Sequence, residues 1–332
     1  MKNCFWILFF LFMQSGWAQV TQVRDTILMG SKFQITVVSE NDAIATENVN
    51  AVITEIVRIE NLISDWIPAS QVSQVNQMAG KQPIKVDWEV FELTQRAIQY
   101  SKITQGAFDI SFAAMEKIWD FNDYMDELPS DAAIKNAIAK VGYQNIILNP
   151  ADTTIFLKYP GMKIGFGSIG KGYAADKGRE VLKQRNVKAG IVDASGDLAT
   201  LGHPLAAKYW KIGITNPTKR NKWAAVFQLH TTSVTTSGDY QKFLFIDGKR
   251  YSHIINPKTG WPSTGLTSVT VVGPSAEKAN AFSTAIMVLG LDAGKFLLQK
   301  YPNYAGLFIT DQGKIYKSKN LNQVLRKQKR AE

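Results

Sequence analysis

The chain has 332 residues, 45% of them hydrophobic and 11% aromatic, an ordinary globular balance that excludes disorder, collagen-like repeats and a disulfide scaffold. Its 38 Lys and Arg against 28 Asp and Glu give a formal charge of +10. A sole cysteine, Cys4, excludes thiolate zinc and iron–sulfur sites, and His203, His230 and His253 are dispersed, so any metal must be held mostly by oxygen, as magnesium or calcium is.

Met1, Lys2 and Asn3 precede an apolar run from Cys4 to Met13, followed by the small residues Gly16 and Ala18. This is the pattern of a secretory signal over residues 1–18, cleaved after Ala18. The run is short for a spanning helix, and no second long apolar run follows. The mature chain is therefore expected to be soluble, exported and periplasmic; the competing reading is an uncleaved anchor. Much of the excess positive charge sits at the end, from Lys314 to Arg330, which predicts a basic tail over residues 318–332, solvated or facing a membrane surface. No recognition-helix or zinc-finger pattern supports nucleic-acid binding.

Residues 21–28 and 32–38 read as strands around Met29-Gly30-Ser31. Apolar residues at helical spacing, Ala45 through Ile63, predict an amphipathic helix over 41–63. Asp87 is placed to cap a second helix, which Gly106 ends, and 132–139 is a short third. Residues 146–148 and 154–157 read as strands joined at Asn149-Pro150-Ala151-Asp152. A helix over 169–187 follows a Gly-rich turn. Short strand-like runs then occupy 190–192, 211–214, 225–229, 234–236, 243–246, 251–255 and 267–272. Helices over 276–289 and 294–299 and strands over 304–309 and 314–316 finish the pattern. No linker divides the chain. One α+β domain over 19–317 is expected, with a mixed or antiparallel sheet and packed helices.

Four constellations carry polar groups beyond the needs of a core. Gly165-Phe166-Gly167-Ser168-Ile169-Gly170 matches G-x-G-x-x-G, with strand-like Met162-Lys163-Ile164 before it, a helix after it, and Asp193 beyond. It reads as a dinucleotide fingerprint, as a phosphate-binding turn assisted by Lys171, or as a plain tight turn. Phe108 and Asp109 follow a helix stop. Thr236-Ser237-Gly238-Asp239-Tyr240 and Tyr251-Ser252-His253-Ile254-Ile255-Asn256-Pro257 place hydroxyls, a carboxylate and an imidazole within one hairpin and its exit. His253 is a proton acceptor or a structural histidine. Asn280 and Thr284 share one helix face, for a metal or for an interhelical hydrogen bond.

Taken together, these pieces resemble the FAD:protein FMN transferases, the ApbE-type family. The matching pieces, in family order, are Met29-Gly30-Ser31; Ser64-Asp65-Trp66 with Ser70 and Asn76; Gly106-Ala107-Phe108-Asp109; Gly167 to Ala174 with Asp176; Ser195-Gly196-Asp197; and the two segments around Asp239 and His253, followed by Ala279 to Thr284. The resemblance implies an α+β fold and a magnesium-dependent transfer in which FAD is split at its pyrophosphate. FMN passes to a Thr or Ser hydroxyl of an acceptor protein in a membrane redox complex, and AMP leaves. It implies that Met29, Trp66, Ala107, Phe108, Asp109, Lys171 and His253 meet the flavin nucleotide. It further implies that Ser168, through its backbone carbonyl, and Thr284 ligate the metal, with Asn280 at a third ligand position; the chemistry also calls for a base near the incoming hydroxyl, for which His253 and Asp239 are the candidates. Two positions depart from the family: Asn280 stands where it has an aspartate, and Gly165 where it has an acid. An amide oxygen at position 280 predicts weaker magnesium binding. An FAD-hydrolysing relative, a non-catalytic FAD binder and a nicotinamide oxidoreductase are the alternatives.

Overall fold

The computed structural model describes residues 19–327 apart from 122–124, 220, 221 and 241; the expected signal, residues 1–18, lies outside the described residues. Val20–Leu28 (β1) and Ser31–Ser39 (β2) pair across Met29-Gly30, both with positive φ. Asp42–Ile63 (α1) begins where Asn41 accepts the N–H of Ile44. Gln71–Gln77 (α2) and Ile84–Lys85 (β3) lead to Trp88–Ile103 (α3). Asp87 stands at the cap of α3, yet its side chain makes no capping bond.

A 3₁₀ segment, Ile110–Ile118, precedes Asp131–Ile138 (α4), Ile146–Asn149 (β4) and Thr154–Leu157 (β5). Then come Gly170–Gln184 (α5), Ala189–Ala194 (β6), Asp197–Leu201 (β7), Trp210–Thr215 (β8) and Trp223–Leu229 (β9). Ser233–Gly238 (β10), Phe243–Ile246 (β11), Lys249–Ser252 (β12) and Leu266–Gly273 (β13) follow. The chain continues through Ala276–Leu289 (α6), Leu291–Gln299 (α7), Ala305–Thr310 (β14), Ile315–Lys317 (β15) and Leu321–Lys327 (α8).

Eight strands form the main sheet in the order β1-β2-β6-β7-β10-β13-β14-β15, every neighbouring pair antiparallel. Side-chain alternation splits it into two faces. Phe33, Ile35, Val37 and Val192 meet α1 and α5 in one cluster. Val38, Ala189, Val234 and Val272 join Trp210, Phe227, Leu321 and Val324 in another, under the β8–β9 ribbon and α8. Helix α6 covers the β10–β13 region, so β13 is buried along its whole length.

The nicotinamide reading fails here. Met162-Lys163-Ile164 forms no strand, and the last strand before the Gly-rich turn, β5, belongs to a separate small sheet, so among the described residues no parallel βαβ unit holds a dinucleotide in that manner. The stretch read as a basic tail carries α8, with Leu321 and Val324 buried. Among the described residues, no helix is long and apolar enough to cross a membrane.

Candidate active site

A cavity of about 1630 Å³ opens between the helical layer and the β10–β12 side of the sheet. That exceeds the roughly 300–1,000 Å³ typical of small-ligand pockets and suits a ligand of dinucleotide size. Of the residues singled out from sequence, Trp66, Ala107, Phe108, Asp109, Ser168, Lys171, His253, Asn280 and Thr284 line it. Met29 and Asp239 do not. Met29 sits in the β1–β2 turn at φ 50 and packs against the apolar clusters around α1 and α5. The Asp239 carboxylate is buried in an ion pair with Arg250, so it is held as an anchor between β10 and β12.

One wall is the Gly-rich turn and the start of α5. Ile169 caps this helix without a side-chain bond, so its first N–H groups carry the positive end of the helix dipole without a side-chain competitor. A Cβ on Gly167 would meet nothing within 4 Å, which leaves bare backbone facing the cavity. Lys171, in the first turn of α5, pairs with Asp197 at 3.5 Å. Asp197 is fully buried, and the loss of water pushes its pKa up to about 6 against the pull of Lys171. It lies just past the Ser195-Gly196 turn between β6 and β7, where both residues have positive φ and Asp193 accepts the Gly196 N–H at 2.7 Å. Asp193 and Asp197 both reach the cavity wall. The sequence pointed to Asp193 only as the acid of a dinucleotide fold and to Asp197 only as part of Ser195-Gly196-Asp197; a hairpin with carboxylates flanking its turn was the available signal.

On the opposite rim, His253 is fixed by its backbone. Its Nδ1 lies 2.9 Å from the Lys242 carbonyl oxygen. A carbonyl only accepts, so Nδ1 carries the proton and Nε2 is left as the basic nitrogen. Burial pulls the imidazole pKa below its ordinary value, ahead of the nearby Lys242 and Lys171 charges, which keeps the ring neutral near pH 7. Asp109 has a different task. It accepts from Ser111 N at 2.8 Å, Ser111 Oγ at 2.6 Å and Tyr143 N at 2.8 Å, and so ties the floor of the cavity together. Trp66, 80% exposed, offers a free ring face at the mouth.

Helix α6 supplies the oxygen donors. Asn280 is buried, and its Oδ1 has no hydrogen-bond partner among the described residues. Thr284 Oγ1 lies 3.2 Å from Ser237 Oγ, which in turn contacts Ser283 Oγ at 2.8 Å. An orphaned buried amide oxygen one helical turn from a hydroxyl fits a hard cation, and Ser168 lines the same cavity. Among the described residues, no group of three or more His, Cys, Asp or Glu could hold a metal, so such a cation would rest on mostly neutral oxygens.

The ApbE family model matches residues 29–308. The FAD:protein FMN transferase of Klebsiella pneumoniae is 31% identical over 286 residues, covering 86% of this chain and 87% of that protein. The FAD:protein FMN transferase of Treponema pallidum is 30% identical over 305 residues, 86% of this chain and 83% of its own. The crystal structure of the ApbE protein of Thermotoga maritima superposes with a TM-score of 0.84 at 28% identity, covering 92% of this chain and all of that one.

Proposed function

The chain belongs to the ApbE family, and from that premise we propose that it is an FAD:protein FMN transferase working on an acceptor protein outside the cytoplasm. The observation that carries the reading is one cavity that joins an uncapped helix start and Lys171 to a neutral histidine whose Nε2 has no hydrogen-bond partner among the described residues.

The FAD pyrophosphate lies against the Gly-rich turn, where α5 N–H groups and Lys171 offset its charge. Trp66 and the residues around Phe108 enclose the rings. The acceptor Thr or Ser oxygen bonds to the FMN phosphorus, and the bond from that phosphorus to the bridging oxygen breaks, releasing AMP. His253 Nε2 takes the hydroxyl proton. Asn280 Oδ1, Thr284 Oγ1 and the Ser168 carbonyl would hold magnesium, which neutralises pyrophosphate charge when bound. In this reading residues 1–18 direct export, and the acceptor is a Thr- or Ser-bearing domain of a membrane redox complex.

Incubation of the mature chain with FAD, magnesium and such a domain tests it. The expected result is one FMN phosphate added to the acceptor per AMP released. An unmodified acceptor, when another transferase modifies it in parallel, overturns the reading. FMN and AMP released at a rate the acceptor does not change would make the protein a hydrolase.

A further inference from the structure

Two segments named in the sequence meet at a point the mechanism above does not use. Asp65 lies after α1, and Gly165 opens the Gly-rich turn; both line the cavity. A Cβ built on Gly165 would sit 3.0 Å from Asp65 Oδ2 and 3.1 Å from Ala113 Cβ. Gly165 does not need its freedom for backbone reasons, since its φ lies outside the positive region. A side chain at position 165 would therefore have to displace the Asp65 carboxylate and crowd Ala113.

Both partners are held in place. The Asn76 amide brackets the Ile164 backbone, donating to its carbonyl at 2.9 Å and accepting its N–H at 2.8 Å. Gly165 N donates to the Ile110 carbonyl at 3.0 Å. On the other side, the Ser64 carbonyl accepts from Ser70 Oγ and from Ser73 Oγ, and Ser64 Oγ accepts the Trp66 N–H at 3.3 Å. The carboxylate thus positioned is exposed to the cavity, and it accepts from its own backbone N–H and, among the described residues, from no other residue; partial loss of water pushes its pKa up, while its own N–H and the Lys163 charge pull it down.

We propose that Asp65, seated in the socket left by Gly165 and next to the open face of Trp66, accepts a hydrogen bond from an N–H on the ring edge of the bound flavin nucleotide and so selects a heteroaromatic ring with a donor edge. A carboxylate here would repel phosphate, so it faces the ring. The Lys163 charge acts on it, which disfavours a divalent cation at the same spot. The proposal rests on the FAD reading above. Both halves of FAD carry an N–H donor on a ring edge, the isoalloxazine at ring N3 and adenine at its exocyclic amino group, and the test separates them.

FAD, FMN and AMP are titrated without magnesium against the parent and against Asp65→Ala, with Asp65→Asn as a second variant should the first fail to fold. Loss of a hydrogen bond to a charged group predicts roughly 10- to 100-fold weaker binding of FAD and of whichever half carries the donor, the other half being unchanged. The swap Asp65→Gly with Gly165→Asp returns a carboxylate from the opposite backbone, and FAD affinity should recover to within about threefold of the parent. All three ligands binding within about twofold of the parent would overturn the proposal. So would unchanged magnesium-free binding with a raised magnesium midpoint, which would make Asp65 a metal ligand. A parent that binds no FAD is a failure of the transferase reading, seen before any variant is compared.

Discussion

The imidazole of His253 carries the sharpest expectation. Its Nδ1–H is committed to the Lys242 carbonyl, so only Nε2 can receive a proton. Replacing it in His253→Ala should slow FMN transfer by roughly 10²–10⁴-fold while FAD affinity stays near the parent's. An equal collapse of FAD affinity would make it a binding residue. Because burial lowers its pKa, transfer should rise with pH through a midpoint below the ordinary histidine value and be flat near neutrality. Asn280→Asp adds charge at a buried oxygen that has no partner among the described residues. The magnesium concentration for half-maximal transfer should fall, and the magnesium-free melting temperature should fall too, recovering as the ion is added. An unchanged midpoint with a lowered melting temperature would remove Asn280 from the metal site. Asp197 obeys the opposite linkage to most carboxylates. Its folded pKa, about 6, lies above its unfolded value of 3.8, so the folded state binds more protons between them. Its contribution to stability is present at low pH and is lost as pH rises through about 6. Asp197→Asn keeps an acceptor for the Thr236 N–H, so its melting temperature should gain on the parent's as pH is raised from acid to neutral; a constant difference would contradict this.

Between elements, the close approach of α5 and α6 sets the site, because one carries Lys171 and the other Asn280 and Thr284. Gly172 permits that approach: a Cβ there would lie 2.5 Å from the Ala276 carbonyl oxygen and 3.0 Å from Glu277 N. These are backbone atoms and cannot rotate away. Gly172→Ala should therefore cost about 1–3 kcal/mol despite alanine's better helix propensity, and should weaken FAD binding by moving Lys171 away from α6. A melting curve and an FAD titration report both. A variant as stable as the parent would show that the helices can part freely. Helix α2 was silent in the sequence for a related reason. Gln71–Gln77 is short and polar, and only Ser70, which caps it through the Ser73 N–H, marked its start.

Across the whole molecule, the far face of the sheet is closed by α8. Leu321 and Val324 are buried beneath it. Deleting residues 321–332 should cost about 3 kcal/mol or more, at roughly 1.5–3 kcal/mol for each buried aliphatic side chain. Deleting 328–332 alone should change the melting temperature little. Equal losses from both deletions would mean that charge at the end, and not packing, stabilises the chain.

How much of this was legible follows from range. Strands β1 and β2, helices α1, α3 and α6, and the stop at Gly106 follow from periodicity and turn chemistry, which act over a few residues. The site residues on the cavity wall were legible as motif pieces, because each piece keeps its chemistry in one short segment: Lys171 beside the Gly-rich turn, and Asn280 with Thr284 on one helix face. Sequence could not show that Asp239 is held in an ion pair, since Arg250 comes to it from the separate β11–β12 hairpin. Nor could it say that G-x-G-x-x-G sits in an antiparallel frame, because strand order is a long-range property of the sheet. The basic end looked like a tail because its lysines and arginines outnumber the two apolar side chains that anchor it, and their burial exists only once β9 and β14 are in place. Residues adjacent in sequence declared their chemistry by themselves. The groups that contact or compete across the cavity, Asp65 against Gly165 and Asp197 against Lys171, were decided only by folding, which sets distances and strips water in ways no local pattern encodes.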